Sequence, residues 1–302
     1  MPHLSKIIAI KPVTLLLSLG AIALALSGCA SAPEGRPGPN GLWLEKPALL
    51  SAANPALIAQ YNVSFVLAEQ ASLPNRDNSP TSPPLRVTVQ GISSDDMTAI
   101  AEAAYADFVQ QLKDRGFAMS TRSLDEQLSP FAIRQLSKNT LQGPGKNVAL
   151  FRQHSDNRID TLTVGPEALP VVRPDQHLAI GIAAGENGTR PITVDYTLRL
   201  ARLNPPGPGQ SQIGDTGIAF VPGVELIEGS HLALYHNPKK VAKVTLRGPI
   251  SYDRGGRSSE LRAGESSDEA KIYHYQVDAA QFKSAALAIL KQANSRMISA
   301  LR

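Results

Sequence analysis

Alternation of apolar and polar residues in several short segments is the feature that most limits how this chain can fold. The longest example has apolar side chains at every second position, namely Ile192, Val194, Tyr196, Leu198 and Leu200. Side chains of a β-strand point alternately to the two faces of its sheet, so this period indicates half-buried strands. Similar alternation or short apolar runs predict strands at residues 61–67, 85–90, 148–151, 159–164, 177–184, 217–220, 231–235, 241–247 and 270–277. An Asn-Gly pair at 187–188 favours a hairpin between 177–184 and 192–200.

Two other segments have the period of amphipathic helices. Polar residues at 93–96 suit the start of the first helix, and Gly116 suits its end. The second helix is predicted from about 279 to 301, with Asp278 as its N-cap and Gln281 in the capping-box position. The face opposite its apolar stripe holds Lys283, Lys291, Asn294 and Ser295. Strand, helix and strand in this order predict an α+β fold, with a mixed or mostly antiparallel sheet and amphipathic helices packed on it, including a C-terminal helix.

Composition excludes several functional classes. The 302 residues include a single cysteine, so an internal disulfide and a cysteine-rich metal centre are both ruled out. His231 and His236 are five positions apart on a predicted strand and turn, so they should point to different faces and not converge on one metal, and we expect neither a metal nor a cofactor. The formal net charge of +4 is too small to indicate a nucleic-acid-binding protein.

The N-terminus has the pattern of a targeting segment. Lys6 and Lys11 precede an uncharged run of 14 residues at positions 13–26. This length matches the hydrophobic region of a signal peptide and falls short of the roughly 20 residues that a membrane-spanning helix needs. The segment therefore predicts export of the protein.

The run ends in Leu26-Ser27-Gly28-Cys29, which resembles the lipobox of bacterial lipoproteins. The resemblance implies attachment of diacylglycerol to the Cys29 thiol, cleavage before Cys29, and acylation of the new amino terminus with a fatty acid such as palmitate. Residue Ala30 follows the cysteine, which in Gram-negative lipoproteins favours the outer membrane. The chain is thus expected to be held in the cell envelope by acyl chains on Cys29.

The whole sequence divides into three parts. We predict a signal peptide at 1–28, a lipidated cysteine with a flexible Pro/Gly tether at 29–41, and one elaborated α+β domain at 42–302. Twelve extended tether residues would reach on the order of 40 Å from the bilayer. After removal of 1–28 the chain keeps 28 basic and 26 acidic side chains, a net charge of +2. Net charge alone gives no reason to expect nucleic acid, or anionic lipid beyond the acyl anchor, as a partner.

The sequence contains no recognisable catalytic motif. The leading hypothesis is a non-catalytic, periplasm-facing binding or assembly module whose partner is an envelope protein or a cell-wall component. One alternative is an envelope hydrolase with a site assembled from scattered residues such as His231, His236 and Asp253. The other is a subunit of an outer-membrane secretion or assembly complex.

Overall fold

The computed structural model describes residues 35–51, 55–71, 84–120, 140–142, 148–154, 157–169, 171–172, 180–182, 190–204, 213, 217–252, 261–264 and 271–302. These residues include strands β1 (Gly35–Pro37), β2 (Leu42–Glu45), β3 (Ile58–Ala71), β4 (Leu85–Gln90), β5 (Thr140–Gln142), β6 (Val148–His154), β7 (Asn157–Val164), β8 (Val171–Val172), β9 (Ile192–Asn204), β10 (Ala219–Leu226), β11 (His231–Asn237), β12 (Lys240–Leu246), β13 (Ile250–Tyr252), β14 (Leu261–Ala263) and β15 (Lys271–Gln276). The long helices are α1 (Ser94–Asp114) and α2 (Ala279–Ser299). The α+β prediction is confirmed.

One large mixed sheet organises the described residues. Its main path runs β1-β2-β12-β11-β9-β3-β4-β15-β14, and β5 pairs separately with β8. The pairs β3/β9 and β4/β15 are parallel, while the other strand pairs in the described residues are antiparallel. Strands β1 and β14 therefore lie at opposite ends of the main path.

The sheet branches because its two longest strands each change partners along their length. Strand β3 pairs with β9 over 58–65 and with β4 over 68–71, and its register shifts between Val66 and Ala68. Strand β9 pairs with β11 over 192–195 and with β10 from Leu198 onward. One branch therefore contains β4, β15 and β14, and the other contains β9, β10 and β13.

The helices begin where the sequence predicts. Helix α1 follows β4, and Ser93 and Asp96 form a reciprocal capping box at its start. Helix α2 follows β15, and the Asp278 carboxylate accepts a hydrogen bond from the backbone N–H of Gln281 at 2.9 Å. Gly116 has φ of +85° just after α1, a conformation in which glycine avoids the strain of a side chain.

The predicted elements also include two local errors. Residues 180–182 are helical and not part of a strand, so the described part of the expected hairpin with 192–200 is wrong; its other residues lie outside the described range. Residues 35–41 form β1 and a single 3-10 turn, and β1 pairs with β2. Residues 35–41, which were expected to belong to the flexible tether, therefore have regular structure.

The apolar core lies between the sheet and both helices. Tyr61 of β3 contacts Phe108 of α1, and Phe65 of β3 contacts Phe282 of α2, with ring centroids 5.6 Å and 6.1 Å apart. Such tilted and edge-on ring pairs add to the stabilisation from burial of the rings. No helix among the described residues has the length and apolar character needed to cross a membrane.

A buried amide joins the two helices to the sheet. Asn294 of α2 is fully buried, which corrects the expectation that it lies on the exposed face of the helix. Its side-chain oxygen accepts hydrogen bonds from the hydroxyls of Tyr61 and Tyr196, both at 3.1 Å. Its amide nitrogen donates to the carbonyl of Ala104 and to the carboxylate of Asp107, both at 2.9 Å. Burial raises the pKa of both tyrosines, which keeps them protonated as donors.

The capping box of α1 predicts a component of acid sensitivity. Hydrogen bonds from Ser93 to the Asp96 carboxylate lower its pKa, so this interaction stabilises the fold above the usual Asp pKa of about 3.9 and is lost as pH falls through the lower folded value. We expect Asp96→Asn to remove this part of the pH dependence in unfolding titrations. Asp95→Asn, in the same helical turn, is the matched control because it leaves the Ser93–Asp96 pair intact. Equal pH profiles for Asp96→Asn and the unchanged protein would contradict this role.

Candidate functional site

The sheet face directed away from the helices is polar and yet buried. In β3, Tyr61, Val63 and Phe65 alternate with Gln60, Asn62 and Ser64, and all six are buried. The first three belong to the core under the helices, so the polar set lies on the opposite face. Strand β3 was expected to be half-buried, but its side chains are buried on both faces of the sheet. Buried polar groups must be hydrogen-bonded to be tolerated, so this polar face is the place to look for specialised chemistry.

A carboxylate is at the centre of one part of the polar face. Asp195 of β9 accepts hydrogen bonds on one oxygen from the side-chain amides of Gln60 at 3.2 Å and Asn62 at 3.1 Å. Its second oxygen is 3.7 Å from Nε2 of His231 on the next strand. The Nδ1 atom of His231 lies 3.1 Å from the Gly229 carbonyl, which can only accept, so Nδ1 carries the hydrogen. We call these four side chains, Gln60, Asn62, Asp195 and His231, the Asp195 cluster.

An ion-pair network continues the polar face toward the branch point of the sheet. The Nε atom of Arg199 is 3.4 Å from a carboxylate oxygen of Glu69, and its Nη1 is 3.8 Å from Glu225. Glu225 is also 3.3 Å from Nε of Arg202. Exposed side-chain fractions are 11% for Arg199, 5% for Glu69 and 8% for Glu225, but 38% for Arg202. The network joins β3, β9 and β10 and has equal numbers of positive and negative groups.

A narrow cleft lies where the two branches of the sheet separate. Glu69 and seven apolar residues line the cleft. The apolar residues are Val66, Ala68, Val87, Val89, Leu200, Ala201 and Leu203. The cleft admits little more than a water-sized group, whereas pockets for small molecules usually enclose about 300–1,000 Å³. In the described part of the chain, this cleft does not have the dimensions of a substrate pocket.

The histidines proposed for a hydrolytic site do not converge. His231 lies beside Asp195, while Nε2 of His236 is 2.7 Å from the carbonyl of Leu49. Five residues along a strand separate the two by about 17 Å. Asp253 and Cys29 both lie outside the described residues. Among the residues that the structure describes, no group of three or more His, Cys, Asp or Glu side chains could hold a metal ion.

Sequence reasoning missed the Asp195 cluster and the ion-pair network. Both sets occupy the polar positions of period-two strands, which the pattern assigns to a solvent-facing side. A weak signal was available, because Asp195 and Arg199 are opposite charges spaced so that they share one face of β9. The partners of these two charges lie on β3, β10 and β11, and they become known only from the pairing of β9 with those strands.

Comparisons with protein-family models, with curated proteins and with solved structures found no match to this chain.

Proposed function

We propose that this chain is a lipoprotein of the cell envelope, anchored by acyl chains on Cys29, whose α+β domain binds another envelope component without catalysing a reaction. The observation that carries the proposal is the lipobox-like Leu26-Ser27-Gly28-Cys29 after an uncharged run of 14 residues. In a host with two membranes, Ala30 in the position after Cys29 would favour the outer membrane, with the domain facing the periplasm.

The described structure supports a binding role in preference to a hydrolytic one. The buried polar side chains contact one another across strands β3, β9, β10 and β11, so they hold the sheet together. Tyr61 and Tyr196 have their hydroxyls in the core, where burial raises the pKa of both. These are the properties of groups that stabilise a fold, and they leave the outer surface of the domain for partner binding.

Crosslinking in the native envelope tests the binding role. We expect the unchanged protein to be captured with a discrete envelope protein or with cell-wall fragments, identified by mass spectrometry. The Cys29→Ala variant is the control, because loss of the anchor should release the protein and reduce this capture.

A hydrolytic activity would contradict the proposal if it depended on the polar face. The decisive comparison is His231→Gln against His236→Gln, assayed for hydrolysis of envelope polymers and esters. Turnover that is lost in one variant and retained in the other would establish an enzyme and overturn the binding-module proposal. We expect no turnover in the unchanged protein or in either variant.

A further inference from the structure

Basic residues gather around strands β1 and β2. Residues 35–50 form β1, β2 and the turn after them, and β12 pairs with β2. Eight basic residues lie in these segments or in β12, or contact them through backbone or side-chain atoms, and we call them the basic edge: Arg36, Lys46, Lys239, Lys240, Lys243, Arg247, Arg296 and Arg302. Glu45 and Glu228 are the acidic side chains in the same part of the described structure.

Contacts hold the more distant members of the basic edge in place. The Nζ atom of Lys46 donates to the carbonyl of Lys239 at 3.3 Å. Near the end of α2, the Arg296 guanidinium donates to the carbonyl of Asn40 at 3.4 Å. The backbone N–H of Arg302 donates to the carbonyl of Leu50 at 2.9 Å, which brings the C-terminus to the same edge.

The single tryptophan marks the centre of this edge. Arg247 lies over the ring of Trp43, 4.0 Å from its centroid, as a cation–π pair. On β1, Gly35 lies so close to the indole that a Cβ atom there would be 2.5 Å from its nitrogen. The chain that leads back to Cys29 therefore leaves the domain directly beside Trp43.

The fold reveals a charge asymmetry that net charge conceals. The side chains of the basic edge, Glu45 and Glu228 have a net charge of +6, or +5 with Glu34, which directly precedes β1; the other residues after position 28 include 20 basic and 23 acidic side chains. The net of +2 for the mature chain is the difference between a positive edge and a negative remainder. Attraction to an anionic surface depends on the local charge within about one Debye length, roughly 8 Å at physiological ionic strength.

Chain length keeps the basic edge near the bilayer. Gly35 is six positions after Cys29, with five residues between them. A fully extended chain spans at most 3.3–3.6 Å per residue, so Gly35, where the edge begins, is at most about 20 Å from the acylated cysteine. This is half the reach expected from a tether of twelve residues, and it allows the edge to contact lipid headgroups.

We propose that the basic edge lies against anionic phospholipid headgroups, so that the domain is oriented on the membrane and not merely tethered to it. This inference rests on the proposed acylation of Cys29.

Trp43 provides a native reporter for this contact because it is the only tryptophan in the chain. The test uses the full-length acylated protein, purified from membranes and reconstituted into vesicles that contain a lipid with a nitroxide near the headgroup. We expect stronger quenching of Trp43 emission in vesicles with phosphatidylglycerol than in pure phosphatidylcholine. Raising the salt from about 0.01 to about 1 M shortens the Debye length from about 30 to about 3 Å and should abolish the difference.

Charge reversal supplies the matched controls. In the triple variant Arg36→Glu, Lys239→Glu, Lys240→Glu, the quenching of Trp43 emission in phosphatidylglycerol vesicles should fall to the level that the unchanged protein shows in phosphatidylcholine vesicles. The control variant Arg262→Glu, Lys271→Glu, Lys283→Glu changes the net charge equally, with two of its sites on the opposite edge, and should behave as the unchanged protein.

Several outcomes would overturn the inference. If quenching is equal in both lipids, or both triple variants lose it equally, the edge does not contact the headgroups. The acyl anchor would survive that result, because vesicle flotation of the protein measures anchoring separately. Protein that floats with neither vesicle would overturn the proposed anchor itself. Retention by cell-wall sacculi that only the first triple variant abolishes, with unchanged quenching, would reassign the edge to the cell wall.

Discussion

Replacement of Arg199 with leucine is expected to lower the free energy of unfolding by about 3–5 kcal/mol, the usual cost of removing one partner from a buried ion pair. Arg199 lies between the carboxylates of Glu69 and Glu225, and all three side chains are nearly buried. Without the guanidinium, the Glu69 carboxylate would lose the cation 3.4 Å from it in a poorly hydrated environment, and Glu225 would keep only the half-exposed Arg202. Denaturant unfolding at neutral pH measures the effect.

Arg202 is the control for this prediction because it contacts Glu225 from an exposed position. Arg202→Leu should cost about 1 kcal/mol or less, as exposed ion pairs usually do. Replacing Glu69 and Glu225 with glutamine in the Arg199→Leu background should recover part of the lost stability. A loss of under about 1 kcal/mol for Arg199→Leu would show that the ion-pair network does not hold the branches of the sheet together.

Replacement of Asn294 with leucine is expected to cost about 3–5 kcal/mol of unfolding free energy. The amide makes four hydrogen bonds in a fully buried position, and each buried partner that loses its bond costs about 1–3 kcal/mol. Leucine has the same number of side-chain heavy atoms and the same branching as asparagine, so most of the loss should come from polar groups and none from an empty cavity. Thermal and denaturant unfolding of the folded variant measure the loss.

The neighbouring Ser295→Leu variant is the control, since Ser295 is exposed on the same helix turn. It should stay within about 0.5 kcal/mol of the unchanged protein. Because Tyr61 and Tyr196 share the Asn294 oxygen, Tyr196→Phe combined with Asn294→Leu should cost less than the two single losses together. Full additivity would mean that the amide and the tyrosine act independently.

Local sequence signals predicted the helices well because their causes are local. Ser93 and Asp278 cap the helices through backbone N–H groups only three residues away, and Gly116 permits the left-handed conformation after α1. The period of buried residues located the face of α2, yet it placed Asn294 wrongly. Asn294 lies four residues from both Leu290 and Ile298, which are buried, so its position fits the apolar stripe, although its polarity does not.

The positions of the strands could be predicted from the sequence, whereas the pairing of one strand with another could not. Strand β4 has the bounds that alternation predicted, but its parallel pairing with β15 joins residues more than 180 positions apart. The period-two pattern also assumes that polar positions face water. In β3 and β9 these polar positions are buried, and their amides, carboxylates and guanidinium groups contact one another across strands.

The candidate surfaces show the same division between local and long-range information. The lipobox-like motif is contiguous and can be found in the sequence, whereas the basic edge combines residues from positions 36 to 302. Their proximity depends on β12 pairing with β2 and on the contact between α2 and residue Asn40. Net charge averages over the chain and cannot detect such a cluster.

The mass of the N-terminal peptide tests the central claim most directly. The full chain should be expressed in a bacterial host, extracted from its membranes with detergent and analysed after proteolysis. The account predicts a peptide that begins at Cys29 and carries a diacylglyceryl thioether and an N-terminal acyl chain. A peptide that begins at any other residue, or at Cys29 without lipid, would contradict it.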